Sequence, residues 1–331
     1  MILVTGATGH LGNVLVRKLT EKENENIRVL VLPGDDYSNL EAFDIEIIEG
    51  DICDLNSLLP AFEGVDLVYH LAGRVSIKDF DPALKAINLD GTKNVIKACL
   101  DKQVKRLLYV STVHVFVPEV ISEITEENPI VIQELRGEYS KTKAMATLEV
   151  MRASHWDLDA VIVYPSGIIG PYDYRISPMS RLIIDHIKGR FMCSVEGSYD
   201  FVDVRDVADG IIKAAQHGKK GEGYILSGKN ISINEIFKII DGLKKPFFKT
   251  FNLPLWMAKI GIPFSHTYNK IVGCENLLTR YALYTLNTHT KFSNKKAKVN
   301  LGFKPRPIKI TLADTIEWLE EHGLIKEEVY R

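Results

Sequence analysis

The chain has 331 residues, 46% of them hydrophobic, which is enough for one large domain or two joined ones with ample apolar material to bury. Its formal charge of −2 comes with no long basic run, which argues against nucleic acid as a partner, because neutralising phosphates needs clustered Lys and Arg; a small molecule is the expected ligand. Cys53, Cys99, Cys193 and Cys274 stand far apart, with no Cys-x-x-Cys or paired histidine spacing, so neither a metal site nor a disulfide framework is expected.

The amino terminus runs straight into an apolar strand candidate, Ile2 to Val4. Gly6-Ala7-Thr8-Gly9-His10-Leu11-Gly12 follows, and then the helical pattern of Val14, Leu15 and Leu19. A glycine-rich turn between a strand and a helix lets the backbone approach a pyrophosphate, whose charge the free N–H groups at the helix start attract. Further strand candidates are Arg28 to Leu32, Ile45 to Glu49, Leu67 to His70, Arg106 to Val110 and Ala160 to Tyr164, each with helix-like sequence after it. Near-continuous apolar strands separated by helices predict an α/β fold with a doubly wound parallel sheet over the first two thirds of the chain. From about Ser177 the pattern loosens and Pro246, Pro254, Pro263, Pro305 and Pro307 punctuate it; a substrate lobe is expected there. No signal segment precedes the first strand and no run of about 18 apolar residues occurs, so a cytoplasmic protein without membrane insertion is expected.

Tyr139-Ser140-Lys141-Thr142-Lys143 opens a stretch of good helix formers. On a helix, Tyr139 and Lys143 share a face, and the ammonium is placed to stabilise a phenolate and draw the phenol pKa of about 10 towards neutrality. Taken alone, the pair is equally an exposed helical ion-dipole contact. Tyr109-Val110-Ser111-Thr112 ends a strand at the carboxyl edge where open parallel sheets hold ligands, so Ser111 and Thr112 are placed to orient the same carbonyl.

With these motifs in this order, the chain resembles the extended short-chain dehydrogenase/reductase family, whose fold is Rossmann-like. Gly6, Gly9 and Gly12 match its phosphate turn, with Thr8, His10 and Leu11 between them. Asp51 and Ile52 match the segment that approaches the adenine, and Leu71, Ala72 and Gly73 match the strand end lining the cofactor. Pro165, Gly167 and Ile168 resemble the turn beside the nicotinamide, and Phe201 to Ala208 a further family segment. The resemblance implies that Tyr139, Lys143 and Thr112 are catalytic and that Asn88 supports them through a link to the lysine, where a plain helix cap is the alternative. It also implies a dinucleotide domain over residues 1–175, rejoined by elements from about 198–226, a smaller mixed α/β substrate lobe over 176–331, and a homodimer formed by the helices carrying Asn88 to Leu100 and Tyr139 to Met151.

Cofactor choice rests on the end of the second strand, Val31-Leu32-Pro33-Gly34-Asp35-Asp36. No arginine follows the strand and Asp35 or Asp36 repels a 2′-phosphate, which favours NAD over NADP; Gly-Asp-Asp is also an ordinary turn, and Arg28 or a distant lysine folding over keeps NADP open. Val113 and His114 follow Thr112 where family dehydratases carry carboxylates, which disfavours dehydration. His114 is read as a packed neighbour, with proton transfer the alternative. Ser166-Gly167 stands where family epimerases grip substrate phosphates, and the segment looks more like the dihydroflavonol-reductase and 3β-hydroxysteroid-dehydrogenase branches. The expected activity is interconversion of a secondary alcohol and a ketone on an apolar substrate, with a sugar-nucleotide epimerase next and a non-catalytic dinucleotide-sensing module last. The apolar segment Leu253 to Phe264, preceded by Phe247, Phe248 and Phe251, either lines a pocket, rests on a membrane surface or packs in the second lobe. Leu312, Ile316 and Leu319 make a closing amphipathic helix.

Overall fold

The computed structural model describes residues 1–21, 26–76, 80–118, 123–190, 193–244, 251–254, 256–258, 279–288 and 290–325. In chain order the strands are β1 (Ile2–Thr5), β2 (Ile27–Val31), β3 (Glu46–Glu49), β4 (Leu67–His70), β5 (Arg106–Val110), β6 (Glu123–Ile124), β7 (Ala160–Pro165), β8 (Gly167–Ile169), β9 (Cys193–Val195), β10 (Ser198–Asp203), β11 (Gly223–Leu226), β12 (Lys229–Ser232), β13 (Phe251–Leu253) and β14 (Lys291–Phe292). The α-helices are α1 (His10–Thr20), α2 (Leu55–Leu58), α3 (Gly91–Asp101), α4 (Glu138–His155), α5 (Pro178–Ile187), α6 (Val204–His217), α7 (Ile233–Leu243), α8 (Arg280–Asn287), α9 (Lys295–Leu301) and α10 (Ile308–Glu321).

Seven strands pair in parallel in the order β11-β7-β5-β4-β1-β2-β3, the doubly wound Rossmann-like sheet expected from the apolar runs. All residues of β1, β2 and β7 are buried, because helices cover both faces. On one face Val14, Leu15, Val207 and Ile211 of α1 and α6 meet Val4, Val29 and Val163; Ala297, Leu301 and Phe303 of the α9 region join them. On the other, Val95, Ile96, Ala144 and Val150 of α3 and α4 pack on Leu3, Leu107 and Ile162. Strand order reverses between β1 and β4, and a crevice opens beyond the carboxyl ends at such a switch point.

A smaller sheet, β12-β10-β8, lies beside this crevice, so Ser198–Asp203 pairs with β8 and β12 rather than entering the large sheet. Its core joins Phe201 to Ile183, Ile236, Phe237, Leu312, Ile316 and Leu319 of α5, α7 and α10. A capping box between Ser232 and Glu235 starts α7 where β12 ends. Short pairs β13-β9 and β14-β6 complete the second region.

Within the apolar segment, Leu253 and Ala258 line the crevice, whereas Trp256 and Met257 are exposed at 64% and 42%. Phe247, Phe248, Leu255 and residues 259–264 lie outside the described residues, as does Cys274. Among the described residues, Cys53 and Cys99 are free thiols, no cluster of metal-ligating side chains occurs, and no helix is long and apolar enough to cross a membrane.

Candidate active site

The crevice is a cavity of about 680 Å³ running from the glycine turn to the second region. Its first wall is set by backbone sterics. Gly6 has φ of +75°, and a Cβ there would lie 2.6 Å from the Ala72 nitrogen; a Cβ on Gly12 would lie 2.0 Å from the Gly6 oxygen. Glycine is therefore required for the close turn that brings Gly9, His10 and Leu11, at the start of α1, to the cavity. Such a cradle, with a helix start behind it, fits the pyrophosphate of a dinucleotide.

Across the switch point, buried Thr5 and His70 fasten the two strand ends together. The Thr5 hydroxyl lies 2.8 Å from His70 Nδ1 and accepts from the Ala72 backbone at 3.3 Å, while His70 Nε2 is 3.1 Å from the Thr92 hydroxyl. Burial, with the Lys143 charge adding to it, pushes the imidazole down to about 3. Leu71 and Gly73 then line the cavity. Asn88 holds the next residue: its Oδ1 accepts from the Arg74 nitrogen at 2.7 Å and its Nδ2 donates to the Arg74 oxygen at 3.0 Å. It sits inside a π-helical turn, Lys85–Asp90, and so does not cap a helix; its amide clasps the cofactor-side loop and reaches Thr142 of α4 at 3.4 Å. Asp51 lies in a turn tied by Ser57, with its carboxylate accepting from the Cys53 nitrogen at 2.8 Å, and the Ile52 carbonyl accepts from Asn94 at 2.9 Å. Thr8, Asp35, Asp51, Ile52, Ala72 and Asn88 stand around the cavity rather than in its lining.

Thr112, Tyr139 and Lys143 come together on the cavity wall where β5 meets α4. Withdrawal from water pushes the Tyr139 phenol up; the neighbouring Tyr281 acts in the same direction and a hydrogen bond with Thr112 opposes both. Burial pushes the Lys143 ammonium down to about 7. Lys143 Nζ donates to the Val110 carbonyl at 2.8 Å and lies 4.4 Å above the Tyr109 ring. Ser111 lines the cavity too, but its buried hydroxyl is engaged with Thr147 at 2.7 Å, leaving Thr112 to Tyr139. Pro165, Gly167 and Ile168 form the opposite wall, where a Cβ on Gly167 would lie 2.7 Å from the Phe201 ring.

The far end is largely apolar, with Ser177, Ser194 and Thr285 beside one hydrogen-bonded cluster. Met179, Leu182, Phe201, Phe237, Leu253 and Leu286 line it. His114 Nε2 is 2.8 Å from the Tyr199 hydroxyl and its Nδ1 3.2 Å from that of Tyr281, which is 2.7 Å from Ser140. The His114 ring stacks on Tyr199 with centroids 5.4 Å apart and meets Tyr139 edge-on at 5.9 Å. Desolvation pushes this histidine down to about 4, so it is neutral near pH 7. Tyr281 also explains Gly137 at the start of α4: φ there is +82°, and a Cβ would lie 2.5 Å from the tyrosine ring. Sequence patterns missed Tyr199, Tyr281, Met179, Phe237 and Leu286, which carry no motif and arrive from separate elements.

They also missed Arg175. Arg28 does not fold over the cofactor side; it donates to Glu46 at 2.8 Å and to the carbonyls of Ala61 and Glu63 at the base of β2. Instead Arg175, in the loop after β8, donates to Asp35 at 2.5 Å and to the Thr8 carbonyl at 3.0 Å, and Thr8 donates to the same Asp35 oxygen at 2.9 Å. The cation that folds over the end of the second strand is thus neither Arg28 nor a lysine but an arginine from a loop remote in sequence.

Residues 2–227 match the family described as the NAD dependent epimerase/dehydratase family. The chain belongs to that family, the extended short-chain dehydrogenase/reductases, and is an enzyme of NAD-dependent type. It is 30% identical to sterol demethylase protein B of Methylococcus capsulatus over 98% of this chain and 99% of that protein. A putative dihydroflavonol 4-reductase of Synechocystis is 29% identical, covering 98% and 96% of the two chains. Among solved structures, that of gox2253 superposes with a TM-score of 0.85 at 33% identity, covering 98% of this chain and 99% of that one. DesIV, a dTDP-glucose 4,6-dehydratase from Streptomyces venezuelae with NAD and TYD bound, shares the fold with a TM-score of 0.81 at 20% identity over 98% of each chain.

Proposed function

We propose that the enzyme interconverts a secondary alcohol and a ketone on a bulky, largely apolar molecule. The observation that carries this reading is the lining of the cavity: beyond Thr112, Tyr139 and Lys143 it is largely apolar, and no carboxylate appears among the described lining residues. Elimination chemistry wants a carboxylate base beside the catalytic hydroxyls, and His114 stands there instead. A nucleotide-sugar substrate wants cations for its phosphates, and the lining offers Arg74 besides Lys143, with Arg74 already paired to Asp81 at 2.7 Å. Names of the relatives support the same class through the dihydroflavonol 4-reductase.

In this reading the nicotinamide, when bound, supplies or accepts the hydride. Tyr139 donates its phenolic proton to the carbonyl oxygen during reduction and removes it from the alcohol during oxidation. The Thr112 hydroxyl orients that oxygen and holds the Tyr139 hydroxyl in line. Lys143 gives its ammonium to the ribose hydroxyls, leaving its tie to Val110 as a positional anchor. Gly6, Gly9 and Gly12 with the start of α1 hold the pyrophosphate, Asp51 and Ile52 border the adenine, and Leu71, Gly73, Pro165, Gly167 and Ile168 flank the nicotinamide. Asn88 positions the Arg74 loop. Asp35 stands where ribose hydroxyls are received, so NAD is preferred over NADP.

The same reading takes residues 1–175, with returns from 198–226, as the dinucleotide domain and 176–331 mainly as the substrate lobe of a cytoplasmic enzyme. A homodimer through α3 and α4 is supported by Leu100 and Met151, exposed on those helices at 43% and 40%. The experiment that tests the function is denaturation of freshly purified protein with mass spectrometry of what is released, followed by turnover assays with NADH and a series of aryl and polycyclic ketones. Reversible dinucleotide binding with turnover of bulky ketones supports the reductase. Stoichiometric retained NAD with no ketone turnover overturns it in favour of a sugar-nucleotide epimerase.

A further inference from the structure

We infer that Arg175 determines how the enzyme discriminates NAD from NADP, by sharing with Asp35 the position that receives the 2′ substituent of the adenosine ribose. The inference rests on the dinucleotide reading above. A carboxylate at the end of the second strand of such a sheet accepts ribose hydroxyls and rejects a 2′-phosphate, because like charges repel and the phosphate has no proton to donate. Here that carboxylate is not alone. The Arg175 guanidinium reaches Asp35 across 140 residues of sequence separation, and its charge and hydrogen bond hold the carboxyl below its ordinary range.

Geometry leaves the arginine available to a ligand. Its side chain is 48% exposed and that of Asp35 21% exposed, so the pair meets solvent and is weakly held compared with a buried one. Guanidinium offers a planar fork of donors; Nε is given to the Thr8 carbonyl and an Nη to Asp35, and the remaining N–H groups suit phosphate oxygens. Nor is Arg175 needed to keep its loop in place. His10 Nε2 donates to the Pro171 carbonyl at 2.9 Å, and the buried Asp173 carboxylate accepts from the Ser177 nitrogen at 2.7 Å and the Ser180 hydroxyl at 2.6 Å. The Arg17 guanidinium lies 4.4 Å above the Tyr172 ring. These contacts hold Tyr172 and Ile176 at φ of +70° and +50°, values that non-glycine residues adopt only when their surroundings impose them. Arg175 is thus presented over the glycine turn by a loop fastened on either side of it.

The pair then acts as a charge balance. Asp35 selects the free 2′-hydroxyl of NAD, while Arg175 offsets its repulsion enough for NADP to bind measurably. Equilibrium titration of the purified protein with NADH and with NADPH, followed by nicotinamide fluorescence, reads the two Kd values without any turnover. Arg175→Ala is expected to weaken NADPH by about tenfold or more while moving NADH by less than about threefold. Asp35→Asn, which keeps the side-chain shape and removes the charge, is expected to tighten NADPH by about tenfold and weaken NADH several-fold. The ratio of the two constants decides. If Arg175→Ala shifts both equally, the arginine is a strap only and the inference falls; if it shifts neither, the inference falls as well. Arg175→Gln, which keeps much of the side chain and removes its charge, carries the test should the alanine variant fail to fold: it too is expected to weaken NADPH more than NADH, and an unchanged ratio overturns the inference. Failure of the wild-type protein to bind either dinucleotide would instead sink the cofactor reading itself.

Discussion

The two ends of the cavity are built in opposite ways. At the glycine end, the fit to a pyrophosphate lies in the backbone: Gly6 and Gly12 permit an approach that any side chain blocks, and the cavity lining there comes from the residues that follow β1 and β4. At the far end the fit lies in side chains from elements scattered along the chain, with His114, Tyr199 and Tyr281 meeting from the turn after β5, from β10 and from α8. The first arrangement binds what all members of a dinucleotide family share. The second selects what one member acts upon, and a few substitutions there change the substrate without disturbing the fold.

The largest effect that tests this contrast is a chemical one between the two ends. Tyr139→Phe removes the proton donor and is expected to lower kcat by about 10²–10⁴-fold while leaving the Kd for NADH nearly unchanged. Steady-state kinetics beside fluorescence titration checks it; retained turnover would remove Tyr139 from the mechanism. Gly12→Val addresses the backbone end. Its Cβ meets the Gly6 oxygen at 2.0 Å, so the turn must move, and dinucleotide binding is expected to fall below detection. A variant that still bound NADH tightly would mean that the pyrophosphate lies elsewhere.

A smaller and more selective effect is expected at the substrate end. His114→Phe keeps an aromatic ring between Tyr199 and Tyr139 but breaks the hydrogen bonds to Tyr199 and Tyr281. KM for the ketone is expected to rise about tenfold, with NADH binding unchanged. Loss of NADH binding would tie the cluster to the cofactor and dissolve the distinction between the ends.

The same contrast explains what was legible in the sequence. Apolar runs and glycine positions report local geometry, and Leu67–His70 and Arg106–Val110 appear in the structure with the expected bounds. The glycine turn, Tyr139, Lys143 and Thr112 likewise fall where strand ends and helix starts put them, since the sheet's topology carries the carboxyl ends of β1, β4, β5 and β7 to one edge. Tyr281 and Arg175 were invisible for a physical reason: each acts on a residue more than a hundred positions away, and nothing in the local pattern around either marks it. Lys143 shows a different limit. Helical spacing puts it on the cavity wall with Tyr139, but that its Nζ also reaches the Val110 carbonyl is a choice that only the packed strand end decides.

The smallest expected effect concerns stability rather than rate, and its sign follows from burial. His114 is held down to about 4 against an ordinary 6.5, and His70 to about 3, so between these values and 6.5 the unfolded chain binds protons that the folded one does not. Stability therefore rises with pH across that window and is lost as pH falls through it. Asp200 works the other way: burial pushes it up to about 6 from 3.8, so the folded protein keeps a proton there that the unfolded chain releases, and part of the slope is offset. His114→Phe removes its own contribution and leaves those of His70, His186 and Asp200 in place. Urea unfolding at a series of pH values between about 4.5 and 6.5 is expected to show the slope of ΔG against pH reduced by about 1 kcal/mol per pH unit relative to wild type. An unchanged slope would mean that His114 titrates in the folded protein as it does in water, and the neutral acceptor between Tyr199 and Tyr281 would have to be abandoned as the organiser of the substrate end.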